Sequence, residues 1–377
     1  MRTLEKSLIS VAGLLLALGL LMVYSASITS RPSEQEQVYL SRQVLFLTLA
    51  VAVAAGSALL PADWWRRLAP ALFVATVVLL VAVLVPSLGV SVKGARRWLR
   101  IGGYSMQPSE VAKLTLPLLL CRLTADGRWR TQHWLRSVIA LILPVATTLG
   151  LVVVEPDLGT TLFLTATSVL ALYFSGWPLR RFLIVFGLML PTIGTVAALR
   201  PYQLARVQGF LAAWQDFNQA PYQLKQSLTA LGSGGLFGTG LGLGQQKLSF
   251  LPEANTDFVF AVIGEELGLL GTLGVILLWG ALFGLGVRLL APLRRGSFAH
   301  AAGLTLLTSL VLQAVLNMAV VLALVPPKGI SLPLISYGGS SLLVSLTSLG
   351  MILSFSRAIP EQDELETLPT GETRPAA

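Results

Sequence analysis

The sequence predicts an all-α polytopic membrane protein of about ten transmembrane helices, and three observations predict it. Hydrophobic residues make up 54% of the 377 residues and charged residues only 12%, where a soluble globular chain carries roughly 25% charged residues. Mean hydropathy is +0.74. The apolar residues gather into runs of about 17 to 25, the length of helix that crosses roughly 30 Å of hydrocarbon.

Taken in order, the runs predict spans over 8–26, 40–60, 69–86, 107–122, 136–154, 158–175, 180–199, 258–287, 299–325 and 336–358. The apolar stretch of the first run is longer than the core of a secretory signal, so it is read as an uncleaved anchor. Residues 1–358 form one transmembrane domain in this reading, with 200–256 as a large extracytoplasmic loop and 359–377 as a polar, disordered cytoplasmic tail.

Net charge is +9. In a soluble protein that would suggest nucleic acid, but here it follows topology and no nucleic acid is expected. With the N-terminus inside, Arg66, Arg67, Arg122, Arg128, Arg130, Arg136, Arg180, Arg181, Arg294, Arg295 and Arg357 all fall on cytoplasmic segments. This is the positive-inside pattern, and it places both termini in the cytoplasm. The single cysteine, Cys121, permits no intramolecular disulfide.

Between spans three and four, on the outer side, Lys93, Arg96, Arg97 and Arg100 break that charge rule. An interfacial helix with cations reaching lipid phosphates, and with Trp98 and Tyr104 as interfacial anchors, is one reading. An anion-binding cavity is the other. The continuation favours the cavity, because Gln107, Pro108, Ser109 and Glu110 open a helix and Lys113 follows Glu110 by three residues, bringing both charges to one side. Ionisable residues within a span face the bundle interior or a cavity.

The next outer turn, EPDLGTT, holds Glu155 and Asp157 around Pro156. It reads either as a solvated connection or as oxygen ligands for a divalent cation. Further on, GSGGLFGTGLGLG matches neither a dinucleotide fingerprint nor a phosphate-binding loop. Its glycines suggest close backbone approach beside a cavity, with a flexible linker as the alternative.

Asp257 stands at the mouth of the eighth span, after LPEANT. A carboxylate at the edge of a span marks chemistry, although Asn255, Thr256 or Asp257 could equally serve the start of the helix. On a helical wheel Glu265 lies about 80° from Asp257 and Glu266 on the opposite face, so only Glu265 is expected to share a site with it. The last constellation, VPPKGISLPLISYGGSS, combines Lys328 with Ser336, Tyr337, Ser340 and Ser341 among prolines and glycines. It reads as a structured re-entrant turn whose hydroxyls line a groove or cap the tenth helix.

The blocks KGARRWL with QPSEVAKL, EPDLGTT, QQKLSFLPEANTDF and KGISLPLISYGGSS resemble the SEDS family (shape, elongation, division and sporulation), over nearly the whole chain. They are more similar to its division branch than to its elongation branch. Asn255 departs from the family, where histidine is common, and Pro326–Pro327 replaces a proline followed by threonine.

The resemblance implies a multi-pass protein of the bacterial cytoplasmic (inner) membrane that polymerises lipid II, the undecaprenyl-pyrophosphate-linked disaccharide peptide, on the outer face. Asp257 is then the general base, Lys113 stabilises the leaving pyrophosphate, and Glu110 orients Lys113. Arg96, Arg97 and Lys328 would gather pyrophosphate. Trp98, Gln107, Ser109, Ser336 and Tyr337 would complete the substrate contacts, with Glu155, Asp157, Glu253 and Glu265 in support.

Inversion at the anomeric carbon needs one base and no nucleophilic carboxylate. No cofactor is certain; a divalent cation, Mg or Mn, would suit a pyrophosphate, but the sequence offers no ligand set for it. The implied partners are a class B penicillin-binding protein transpeptidase, division or elongation regulators, and membrane lipids. A lipid-linked precursor flippase and a membrane scaffold remain the alternatives in other classes.

Overall fold

The computed structural model describes residues 2–27, 34–92, 95–102, 104–125, 134–178, 187, 201–248 and 250–358. The fold is mostly helical. The helices are α1 (Arg2–Ser27), α2 (Glu34–Leu59), α3 (Ala62–Leu84), α4 (Pro108–Ala125), α5 (Trp134–Val154), α6 (Leu158–Phe174), α7 (Pro201–Gln215), α8 (Tyr222–Gly234), α9 (Val259–Leu290), α10 (Phe298–Val321) and α11 (Gly339–Ser356). Among them α1, α2, α3, α9, α10 and α11 are long and apolar enough to cross a membrane. The expected seventh span, Lys93, the side chains of Arg128, Arg130, Arg136, Arg180 and Arg181, and the 359–377 tail lie outside the described residues.

Burial divides the bundle into an inner and an outer layer. The apolar window of α2 is 17% buried inside the protein and that of α11 is 78% buried, so α2 faces lipid while α11 is packed on nearly all sides. Helix α4 is also central, with Leu116, Leu118, Leu120 and Cys121 fully buried along its length. A helix buried all round needs no amphipathic stripe. It packs against α3, α6 and α10, and α11 lies along α2.

The two ends of the bundle differ in kind. At one end Arg357, just beyond α11, pairs with Glu5 of α1 at 2.8 Å, and Arg122 of α4 reaches the Arg67 carbonyl near the start of α3. The starts of α4, α6, α9 and α11 all lie at the other end, and the polar motifs cluster there.

Two features depart from the expected all-helical architecture. The basic segment after α3 is a three-stranded antiparallel meander, β1 (Gly89–Val92), β2 (Ala95–Ile101) and β3 (Tyr104–Met106), with Gly89 opposite Leu99 and Leu99 opposite Met106. An interfacial helix is therefore excluded here. Valines in β1 and the alternation of buried Ala95 and Leu99 with exposed Arg96 and Arg100 suit a strand with one covered face.

The second departure is a break in α9 at Gly268, which adopts φ 67° and ψ −162°. The peptide groups released by the break bond to the glycine loop. Thr239 and Gly240 donate to the carbonyls of Glu265 and Glu266, while Leu269 and Leu270 donate to the carbonyls of Gly235 and Leu236. The close approach requires glycine on both sides: a Cβ at Gly238 would lie 2.1 Å from the Glu266 carbonyl oxygen. The glycine run is thus a packed element and not a free linker.

Candidate functional site

Helix α4 begins with Pro108, whose missing N–H falls where a helix has no internal acceptor to offer. One turn in, Lys113 Nζ lies 2.6 Å from Glu110 Oε1, donates to Gln313 Oε1 of α10 at 3.1 Å, and sits 5.1 Å above the Phe163 ring centre. Both charged side chains are buried. Two protein oxygens and an aromatic face replace the water an ammonium would otherwise demand. An ammonium has three N–H donors, so one remains for a ligand among the described contacts.

Gln107, before α4, bridges the helix to the next turn. Its side-chain amide donates to Ser109 Oγ at 3.0 Å and to Asp157 Oδ2 at 3.4 Å, and its backbone N–H donates to Ser340 Oγ. Ser340 therefore ties α11 to α4. Gly338 is the capping residue of α11 and no side chain caps it.

The β2 strand sorts the arginines. Arg97 points inward, donating to the carbonyls of Glu155 and Pro156 and lying 3.5 Å from Asp157 Oδ2. Arg96 and Arg100 are exposed and Trp98 is partly covered, on a strand whose pairing with β1 is irregular beside Arg97, and none of the three bonds to the acidic turn among the described contacts. The expected joint cradle of Arg96, Arg97 and Trp98 is thus divided, and only Arg97 joins the cluster.

The acidic turn does not converge on a cation. Asp157 accepts from the Thr160 N–H at 3.1 Å, capping α6, and its other oxygen faces Arg97 and Gln107. Glu155 is fully buried, and neither carboxylate oxygen has a hydrogen-bond partner. Burial, with the neighbouring Asp157 charge, outweighs Arg97 and pushes its carboxyl up to about 8. With both Asp157 oxygens taken by protein donors and a guanidinium at the turn, Glu155 and Asp157 do not form a ligand pair for a divalent cation. Among the described residues no group of three or more His, Cys, Asp or Glu is arranged to hold a metal.

Asp257 sits in a turn just before α9. The Glu253 carbonyl accepts from the N–H groups of Thr256 and Phe258, with Glu253 itself at φ 59°. Phe258 is the capping residue of α9, and its own side chain makes no cap hydrogen bond. The Thr256 hydroxyl donates to Glu253 Oε2 at 3.1 Å.

The loop is strapped to the segment between α10 and α11, which is the structured turn its prolines and glycines suggested. Tyr337 N–H donates to the Asn255 carbonyl, and buried Ser336 donates to the Thr256 carbonyl while accepting from Leu332 N–H. Ser336 thus braces the loop; its hydroxyl is not presented to an open groove. Asn317 of α10 donates to the carbonyls of Asp257 at 2.7 Å and Ile330 at 2.6 Å. A Cβ at Gly329 would lie 3.2 Å from Asp257 Oδ2, which locates the carboxylate beside Lys328 and Gly329. A Cβ at Gly159 would touch both Asp157 Oδ1 and Lys328. Burial lowers the affinity of the Lys328 amine for its proton.

Two residues the sequence reading overlooked tie these parts together. Gln313 holds Lys113 and donates to the Ser331 carbonyl, and Asn317, one turn on, holds Asp257. Their i, i+4 spacing on α10 puts both amides on one face. Paired amides within LQAVLN, inside an apolar span, were the available signal.

Glu265 does not join Asp257. Its carboxylate accepts from the backbone N–H groups of Gln245 and Gln246, at 2.7 Å and 3.1 Å to Oε1. Asp257 lies outside the helix, so the wheel that paired the two does not apply.

Together these contacts define a membrane-embedded bundle whose polar turns gather at one end, with the Asp257 carboxylate beside Gly329, Lys113 held by Glu110 and Gln313, and Arg97 held by the acidic turn. Residues 5–360 match the cell cycle protein family of FtsW, RodA and SpoVE, and the chain belongs to that family.

Its relatives include a probable peptidoglycan glycosyltransferase FtsW of Halorhodospira halophila, 38% identical over 93% of this chain and 90% of the relative. The protein of the same name from Coxiella burnetii is 39% identical over 90% of this chain and 92% of its own. Among solved structures, a chain reported under "Structural coordination of polymerization and crosslinking by a peptidoglycan synthase complex" superposes with a TM-score of 0.75 and 30% identity, covering 93% of this chain and 96% of that one. The rod shape determining protein RodA of Thermus thermophilus gives 0.67 and 29%, covering 93% and 95%.

Proposed function

We propose that the chain is a peptidoglycan glycosyltransferase of cell division that polymerises lipid II on the outer face of the bacterial cytoplasmic membrane. Relatives named FtsW support the reaction and the division role. The observation that carries the mechanism is the pairing on α10, where Asn317 fixes the backbone of Asp257 and Gln313 fixes Lys113. One rigid helix thereby sets the distance between a base and a cation.

In the reaction, the 4-hydroxyl of the acceptor N-acetylglucosamine gives its proton to an Asp257 carboxylate oxygen as its oxygen attacks the donor's anomeric carbon. The bond from that carbon to the pyrophosphate oxygen breaks, and the electron pair leaves with undecaprenyl pyrophosphate. Attack opposite the leaving group turns an α-linkage into a β-1,4 bond. The uncommitted Lys113 N–H, Lys328 and Arg97 stabilise the charge gathering on the pyrophosphate, where low dielectric strengthens each contact. Glu110 keeps Lys113 aimed, and Gln107 and Ser109 line the approach.

The positive-inside pattern supports an outward-facing pocket, because Arg67, Arg122 and Arg357 lie at the opposite end of the bundle. Ten spans, with 200–256 outside and carrying α7 and α8, fit the same orientation. Growing glycan would be cross-linked by a class B penicillin-binding protein, a pairing supported by the synthase complex that this fold resembles.

The deciding experiment is polymerisation of purified lipid II by wild type and Asp257→Asn, each with a cognate transpeptidase whose own active serine is disabled. Long strands from wild type and none from a folded Asp257→Asn protein are expected. Equal polymer from both would remove Asp257 from the chemistry. No polymer from either would move the chain to the flippase or scaffold class.

A further inference from the structure

A second charged cluster lies away from the pocket. Lys247 Nζ is 2.6 Å from Glu266 Oε1, and both side chains are completely buried. Ser25 of α1 donates to Glu266 Oε2 at 2.6 Å and accepts from Lys247 at 2.9 Å, closing a triangle, and Gly242 N–H donates to the same Glu266 oxygen at 3.1 Å. Glu265 adds its two backbone contacts at Gln245 and Gln246. A Cβ at Gly244 would come within 2.9 Å of Glu265 Oε2, so the chain is drawn tightly over both glutamates.

We infer that Lys247, Glu266 and Ser25 are positioning residues for Asp257. Lys247 and Glu266 flank the stretch 248–265, in which a looped segment leads to Asp257 and the first turns of α9 lead back to Glu266. Joining 247 to 266 closes the base of that stretch, while Asn317, Ser336 and Tyr337 grip its tip.

An apolar contact at the base would hold the two segments together yet let one slide over the other. The triangle fixes register instead, because each Glu266 oxygen and the Lys247 ammonium have named partners at hydrogen-bond distance. Ser25 extends the fix to α1, so the loop base is referenced to the bundle and not only to its own helix. Displacement of a reacting group by about 1 Å can lower a rate by 10²-fold. Hence an anchor that never meets substrate still governs the chemical step.

The inference rests on Asp257 being the base. Its test uses the full chain with its serine-disabled transpeptidase and compares wild type with the neutral pair Lys247→Met/Glu266→Gln, which removes the ionic link without stranding a charge. The expected result is a folded protein whose KM for lipid II stays within about twofold while kcat falls roughly 10- to 100-fold. Hydrogen exchange of the 250–258 amides should rise while that of α4 and α10 does not change.

Unchanged kcat, or a raised KM with kcat intact, would overturn the inference. Should the pair fail to accumulate folded, Ser25→Ala removes hydrogen bonds and no charge, and the same split with a few-fold loss of kcat is expected. If wild type itself makes no glycan, the assigned reaction fails. The exchange measurement then still decides the anchor, because unaltered exchange at 250–258 sinks it.

Discussion

The Lys113–Glu110 and Lys247–Glu266 pairs have the same separation, 2.6 Å, and opposite settings. The first is formed within one turn of α4 and retains about a tenth of its side-chain surface. The second joins a loop to α9, has no exposed surface, and has its oxygens taken up by Ser25 and the Gly242 N–H. Distance alone does not tell a reactive pair from a structural one. What separates them is unused bonding capacity: Lys113 keeps a donor for an incoming anion, whereas Glu266 keeps nothing for a ligand.

That contrast predicts a crossed pattern of loss, and it carries the largest effects. Lys113→Met should lower polymerisation by about 10²- to 10³-fold, the scale of removing an electrostatic contact to the reacting group, with a smaller change in thermal unfolding than at Lys247 because Glu110 keeps about a tenth of its side-chain surface. Lys247→Met strands Glu266 in a dry interior and should reduce stability by about 3–5 kcal/mol. Thermal unfolding in detergent, paired with the lipid II assay, reads both. Equal destabilisation by the two substitutions would erase the distinction.

A smaller effect sharpens the contrast from the acidic turn. Glu155 is a buried carboxyl with no partner, raised from 4.5 to about 8. Between those values the folded protein retains a proton that the unfolded chain releases, so stability falls as pH rises through the window and levels off above it. Glu155→Gln removes that decline. Its unfolding temperature should match wild type near pH 4.5 and exceed it by pH 8, by an amount corresponding to about 5 kcal/mol at most. A difference independent of pH would show that Glu155 is ionised in the folded protein.

The smallest effects test two arginines of β2. Arg97→Gln should weaken turnover about tenfold, since it loses both the brace on the acidic turn and a charge in the pocket. Arg96→Gln, at an exposed position, should leave lipid II turnover within about twofold. Matching losses in the polymerisation assay would mean that Arg96 also meets substrate.

The helices were legible because long apolar runs specify them locally. Nine of the ten expected spans coincide with helices, and the expected start of the eighth span, 258, lies one residue before α9 begins at Val259. The meander was not legible, since strand pairing of Gly89 with Leu99 is a contact between segments whose basic composition also suits an interfacial helix. Asp257, Lys113, Glu110 and Lys328 stood out as charges in an apolar chain. Gln313 and Asn317 did not, because uncharged amides barely perturb a hydropathy run. Glu265 was misplaced for a geometric reason: the wheel assumed a continuous helix from Asp257, but the helix begins at Val259.

The break at Gly268 has a kinetic meaning. Lifting the glycine loop off α9 would strand the carbonyls of Glu265 and Glu266 and the N–H groups of Leu269 and Leu270 within the apolar length of a membrane helix. Each bare peptide group there is worth several kcal/mol. A door hung on such bonds does not swing at the pace of turnover. The glycine loop and the broken stretch of α9 therefore behave as one rigid body beside the Lys247–Glu266 pair.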